Sequence, residues 1–290
     1  MVGAVFDIEG WSECLFGSHV MISLYTRVPL SFFLVFAVIM LAPAEAKGVS
    51  DLERTWEQAH VAAPPEEGNK SQYFRMSSKE AKAFFGGYRK GKTPIVLFMH
   101  GCTGFKSEDR KVIKKIASAG YFVVAPDSMA RDFRPLQCSS RAKQGGNHPY
   151  VFDFRQAELN YALDQLWRQS WVDWDNMFLV GVSEGGLAVA HYRGDYFRGR
   201  VITQWTCHGS PIVQGLSVPL KTPVLAIVRR NDPWYDDEGS EQSGDCGAFF
   251  GDRAGSKSIV LEDGKKHDVM KVDAMMEEII QFLNRNQAPL

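Results

Sequence analysis

Between residues 95 and 285 the chain alternates short, uninterrupted apolar runs with longer stretches in which apolar residues return every three or four positions. The short runs are IVLFMH (95–100), YFVVAP (121–126), NMFLVG (176–181), VITQW (201–205), PVLAIV (223–228) and SIVLE (258–262). Most lack the polar alternation of a strand with one wet face, so they predict a parallel sheet covered on both sides. The longer stretches predict helices. In 107–118, Val112, Ile113, Ile116 and Ala117 share a face opposite lysines, and in 152–167 Leu159, Ala162, Leu163 and Leu166 form a stripe. In 268–285, Val269, Val272, Met276, Ile279 and Leu283 recur at helical spacing. The expected class is α/β, a mostly parallel central sheet with helices on both faces.

Three connections are long: 127–150, 206–221 and 229–256. In open α/β sheets the loops at the carboxyl ends of the strands form the binding crevice, so chemistry is expected there. Residues 47–92 are less patterned. Pro64-Pro65-Glu66-Glu67-Gly68 reads as a linker, and 72–90 as an edge hairpin or a short helix. No repeat or low-complexity tract divides the rest. The expected organisation is a leader over 1–46, a linker and edge segment over 47–92, and one α/β domain over 93–290.

The leader rests on VPLSFFLVFAVIML (28–41), an uncharged run preceded by Arg27 and followed by Ala44-Glu45-Ala46. It is shorter than the roughly 20 residues of a membrane-spanning helix, and its small-x-small ending predicts signal-peptidase cleavage after Ala46. An uncleaved anchor is the alternative. Residues 1–20 carry Asp7, Glu9 and Glu13 and no base, the wrong charge for a leading region, so translation is expected to start at Met21. The expected location is periplasmic or secreted, with no membrane span after cleavage.

Composition then narrows the picture. Of 290 residues, 45% are hydrophobic, and 33 basic side chains nearly balance 34 acidic ones, which fits a globular chain and argues against disorder or nucleic-acid binding. Loss of 1–46 removes one base and four acids and leaves the chain about neutral. It also removes Cys14, leaving Cys102, Cys138, Cys207 and Cys246 for an oxidising compartment. Three pairings are possible. Cys102–Cys138 with Cys207–Cys246 is preferred, since each bond would tie a strand-end loop to a neighbouring long loop.

The strongest motif is Gly181-Val182-Ser183-Glu184-Gly185-Gly186, directly after one predicted strand and before the helical run LAVAHY. Glycines flanking a serine at a sharp strand-to-helix turn leave its hydroxyl exposed at the strand tip, where the following helix terminus adds positive potential. A capping serine in a glycine-rich turn is the plainer reading. A serine hydroxyl needs a base, and the base needs an orienting acid. His267, after the last strand, is the expected base. Asp232, in the loop after 223–228, is the expected acid, ahead of Asp236, Asp237 and Glu238, which read as a solvated charge run. His100-Gly101-Cys102-Thr103-Gly104 ends the first strong strand, where a backbone amide can meet an oxyanion. The Cys102 amide, or alternatively that of Thr103, would act with the Glu184 amide. No metal or other cofactor is expected: His100-x-Cys102 and Cys207-His208 fit no closed zinc spacing, and export favours disulfides.

Together these residues, with Pro126-Asp127-Ser128, resemble the dienelactone hydrolase branch of the α/β-hydrolase superfamily over about 93–285. The resemblance implies an α/β-hydrolase fold and a Ser/Asp/His hydrolase acting on an ester-like bond through an acyl-enzyme. Dienelactone hydrolases proper carry cysteine at the elbow, whereas this chain has Ser183; serine relatives include esterases and peptidases. The expected partner is a small ester or lactone, a peptidase or amidase being the runner-up and a non-catalytic exported binding protein the rival. Arg131 and Arg134 are candidates for a substrate carboxylate, with surface charge or pairing to Asp127 and Asp132 as the plainer reading. Trp234, with Trp205, Tyr235 and Phe249, is a candidate lining for an acyl pocket or else plain core. The pattern specifies no oligomeric state.

Overall fold

In the computed structural model the described residues are 49–66, 70–86, 91–135, 138–142, 144–145, 148–210, 213–235 and 241–289. The predicted leader, the Met21 start, the Ala46 cleavage site and residues Asp236, Asp237 and Glu238 lie outside them. All described residues fall in one compact unit.

The apolar runs form strands because β-branched and aromatic residues fit a pleated surface that is buried on both sides. They give β3 (Thr93–Met99), β4 (Phe122–Ala125), β7 (Val172–Val182), β8 (Gly199–Thr203), β9 (Val224–Arg229) and β10 (Lys257–Leu261). Two earlier strands join them, β1 (His60–Ala63) and β2 (Gln72–Arg75). The sheet order is β2-β1-β4-β3-β7-β8-β9-β10, and β1 runs antiparallel to both neighbours while the other pairings are parallel. A two-residue pair, β5 (Cys138–Ser139) with β6 (Gln144–Gly145), stands apart.

The period-2 geometry of a strand divides the core into two layers. Ile95, Leu97 and Met99 of β3 face one layer; Val96 and Phe98 face the other. The first is closed by α4 (Pro149–Trp167), through Leu159, Leu163 and Leu166, and by α5 (Glu184–His191). Trp56 of α1 (Asp51–Glu57) and Ala81 of α2 (Lys79–Gly86) add to it. The second is closed by α3 (Ser107–Ser118), through Val112, Ile113 and Ile116, and by α6 (Asp273–Arg285), through Met276, Ile279 and Phe282. Helices therefore cover both faces, as the pattern predicts.

Ahead of residue 93, β1 is wholly buried between β4 and β2, and the stretch expected to give an edge hairpin or a short helix supplies the edge strand β2 and the helix α2. A four-residue strand ending at Ala63 is too short to show periodicity. Cys102–Cys138 and Cys207–Cys246 form the two disulfides, the preferred pairing. No helix among the described residues is long and apolar enough to cross a membrane.

Candidate active site

Ser183 sits between β7 and α5 with φ 55° and ψ −118°, in the left-handed half of backbone space that non-glycine residues rarely adopt. Its amide donates to the Thr203 carbonyl at 2.8 Å, and its carbonyl accepts the first helical hydrogen bond, from Leu187 at 3.0 Å. The flanking glycines are there for space. A Cβ on Gly181 would lie 2.3 Å from the Gly185 carbonyl oxygen, and one on Gly185 would lie 2.0 Å from that of Met99. Backbone cannot yield at such distances, so the turn brings β7, α5 and the end of β3 together only without side chains there.

The loops after β9 and β10 bring the expected acid and base together. His267 Nδ1 lies 2.7 Å from Asp232 Oδ2, and the other carboxylate oxygen accepts the Trp234 amide at 3.0 Å. Asp232 is fully buried. A carboxylate facing Nδ1 requires the proton on that nitrogen, which leaves Nε2 of the neutral ring as an acceptor. Nε2 has no hydrogen-bond partner among the described residues. Ser183 and His267 line one cavity of about 260 Å³, with Cys102, Trp234 and Met270.

Two residues that the motifs did not single out hold this arrangement. Gln204, itself at φ 58°, donates from its side chain to the His267 carbonyl at 2.9 Å, and its own carbonyl accepts the Tyr235 hydroxyl at 3.0 Å. Arg229 donates to the Asp263 carboxylate at 2.9 Å and lies 3.4 Å from Asp268, so it clasps both ends of the loop bearing His267. An arginine ending an apolar strand was the available signal for the second; nothing in the spacing marks the first.

The His100–Gly104 segment forms a turn closed by the Gly104 amide on the Gly101 carbonyl at 3.1 Å, and Cys102 lies at the cavity wall. Closure of the turn uses the Gly104 amide and leaves those of Cys102 and Thr103 outside the closing bond. Glu184 opens α5, where no intrahelical carbonyl is available to its amide. His100 is fully buried; its Nδ1 lies 2.8 Å from the Gly101 carbonyl, and its Nε2 accepts the Ser128 amide at 3.0 Å. Burial, reinforced by the Arg155 guanidinium, pulls its pKa down to about 3, so the ring is neutral. Both ring nitrogens are engaged and the sulfurs of Cys102 and Cys207 are in disulfides. Asp109 at the cavity wall is raised to about 6 by burial although it accepts the Lys106 amide at 2.7 Å.

Arg131 and Arg134, the candidates for a substrate carboxylate, do not line this cavity. They are buried beneath the elbow, with partners other than Asp127 and Asp132. Arg131 donates to Glu158 at 2.7 Å, and Arg134 pairs with Glu184 and donates to the Ser128 hydroxyl at 2.9 Å. Arg155 completes the network, 3.3 Å from Glu158 and 3.9 Å from Glu184. Of the four aromatic candidates Trp234 lines the cavity; Trp205 and Tyr235 are core, packed edge to face, and Phe249 packs on His208.

The fold and this geometry define an α/β protein, helices on both faces of one sheet, with a strained serine turn and a His–Asp pair at the carboxyl ends of its parallel strands. The family model described as Chlorophyllase matches residues 67–191, which include the Gly101–Gly104 turn and the Ser183 elbow. Comparison with curated protein sequences returns no match. Among solved structures the chain is similar to one described as a dienelactone hydrolase from Klebsiella pneumoniae, with 15% identity, 78% of this chain and 98% of the other covered, and a TM-score of 0.49. It is similar also to Est1E from Butyrivibrio proteoclasticus, with 12% identity, coverage of 68% and 90%, and a TM-score of 0.48. A phospholipase/carboxylesterase from Dyadobacter fermentans gives 12% identity, coverage of 79% and 96%, and a TM-score of 0.47.

Proposed function

We propose that the chain is an exported serine hydrolase that cleaves a carboxylic ester or lactone through an acyl-enzyme. The observation that carries this reading is the shared cavity of Ser183, strained at the strand tip, and His267, whose Nδ1 is held by buried Asp232 at 2.7 Å. His267 Nε2 takes the hydroxyl proton as Ser183 Oγ attacks the ester carbonyl carbon, and Asp232 stabilises the imidazolium that forms. The amides of Glu184 and Cys102 receive the oxyanion of the tetrahedral intermediate. Its collapse breaks the bond to the leaving alkoxide, which takes the proton from His267. Water then attacks the acyl-enzyme by the same route and restores Ser183.

Export is supported by the apolar run 28–41 and by the two disulfides, which persist in oxidising compartments. Purified protein is expected to hydrolyse a short-chain aryl ester and to be labelled covalently by a fluorophosphonate, and Ser183→Ala to lose both. Equal turnover by that variant refutes the assignment. N-terminal sequencing of the protein recovered outside the cytoplasm tests export, with Lys47 as the expected first residue.

A further inference from the structure

The amino-terminal ends of β7 and β8 carry a cluster of aromatic rings at the end of the sheet opposite Ser183. Trp167 closes α4, Trp174 lies near the start of β7, and Tyr196 precedes β8. Trp167 is 70% exposed and Tyr196 52%, although neither hydroxyls nor charges make rings of this size cheap to leave in water. Together with Asn160, Leu163 and Asp164 the three rings line a cleft of about 390 Å³. Contiguous exposed aromatic surface of this kind marks an interaction site.

Ring geometry and charge decide what the cleft suits. Trp167 and Trp174 are 4.9 Å apart and inclined at 61°, and Trp174 and Tyr196 are 6.5 Å apart and inclined at 68°. Rings so inclined make no flat platform for a stacked sugar or base. They make walls, and two walls inclined at this angle can flank one point about 5 Å from each centroid, inside the ~6 Å reach of a cation–π contact. Asp164 supplies negative charge to the same cleft, and its carboxylate has no hydrogen bond or ion pair among the described residues. Of the nearby bases, Lys221 pairs with Asp195 at 3.5 Å and Arg198 donates to the Asn286 carbonyl at 2.9 Å, while Arg168 follows Trp167 at the exposed end of α4. Among the described residues the cation–π contacts use other rings, those of Tyr73, Phe154, Tyr192 and Phe197.

We propose that Trp167, Trp174, Tyr196 and Asp164 bind a quaternary ammonium group of the choline type. Its charge is spread over methyl groups that lie against ring faces, and it is weakly hydrated, so aromatic walls compete with water for it where they would fail for sodium or ammonium. The site lies apart from the cavity of Ser183 and does not depend on the activity proposed for it.

Calorimetric titration of the purified protein with choline tests this, with 3,3-dimethylbutan-1-ol as the uncharged analogue of equal shape. Choline is expected to bind and the alcohol not. Trp167→Ala is expected to weaken choline about ten-fold, and Asp164→Asn to weaken it less and to remove most of the salt dependence. Both variants are expected to keep the wild-type melting temperature; Tyr196→Ala replaces Trp167→Ala if that variant does not fold. Co-sedimentation with phosphatidylcholine vesicles, with and without competing choline, separates a lipid headgroup from the free cation as the source. Equal binding of the alcohol, unchanged affinity in Trp167→Ala, binding of neutral sugars in place of choline, or no heat with choline up to the order of 10 mM would each overturn the proposal.

Discussion

Glu184→Gln changes one atom type next to Ser183 and tests whether the buried ion network beneath the elbow holds the fold. Arg131, Arg134 and Arg155 face Glu158 and Glu184, with Asp51 3.8 Å from Arg131 at the margin. The side chains of Glu184 and Arg134 are each 4% exposed, so water cannot take over from a lost partner. Removing one member of a buried pair costs about 3–5 kcal/mol. Arg134 would keep its hydrogen bonds to Ser128 and to the Pro135 carbonyl, both at 2.9 Å, and the amide oxygen of Gln still accepts one. Those retained bonds favour the lower end, about 3 kcal/mol. At 2–4 °C per kcal/mol for a chain of this size, the melting temperature falls by roughly 6–12 °C. Urea unfolding followed by circular dichroism at pH 7 gives the difference. Glu262→Gln is the control, because its pair with Arg230 is more than half exposed and screened by solvent. A Glu184→Gln protein within about 1 kcal/mol of wild type, or no less stable than the control, would refute the claim that the network is stabilising.

Asp232→Asn leaves a folded protein whose kcat for an aryl ester falls about 10⁴-fold, since the amide favours the wrong histidine tautomer; a loss under ten-fold removes Asp232 from the proposed mechanism. Acid should weaken the fold through two buried histidines. Burial holds His100 at about 3 and His191 at about 4, against 6.5 when unfolded, so below pH 6.5 the unfolded chain takes up protons the native one refuses. Stability present above pH 6.5 is lost as pH falls toward 4, about 2 kcal/mol per histidine by pH 5, partly offset by Asp109, whose raised pKa acts in the opposite sense. Urea midpoints from pH 7 to 5 check this, and His191→Gln should flatten the slope; a flat wild-type profile contradicts it. The Cys102–Cys138 bond spans 36 residues, and the paired Cys102→Ala/Cys138→Ala variant should lose about 3–4 kcal/mol in the same assay; unchanged stability would show that the bond contributes nothing to folding.

The strands that a reader of the sequence finds are those whose burial is written in consecutive residues. β3, β4 and β9 are apolar on both faces, and their boundaries shift by no more than a residue or two from the runs that announce them. β1 escapes because its four residues are too few to show a period and one of its two partners, β4, is distant in sequence, and β7 starts early because Val172-Asp173-Trp174-Asp175 is extended yet partly wet. At the candidate site, Ser183, Asp232 and His267 are legible from order and from the elements beside them. Arg131 and Arg134 are ambiguous in the sequence because a guanidinium on a loop looks the same whether its carboxylate belongs to a substrate or to Glu158 and Glu184. The choice depends on which helix faces loop 127–135, and that is a property of the folded chain.

The central strand pair has a kinetic consequence. β3 meets β7 through Ile95 beside Met177 and Leu97 beside Leu179, and β1 likewise waits for β4. Pairings this far apart in sequence close slowly, because loop entropy must be overcome before any contact rewards it. A ribosome adding ~5–20 residues per second will have finished two-thirds of the polypeptide before the middle of the sheet can assemble. Until then β1 and β2 have each other but not the strand that buries them, which leaves time for the proposed leader to be recognised on a chain that is still threadable.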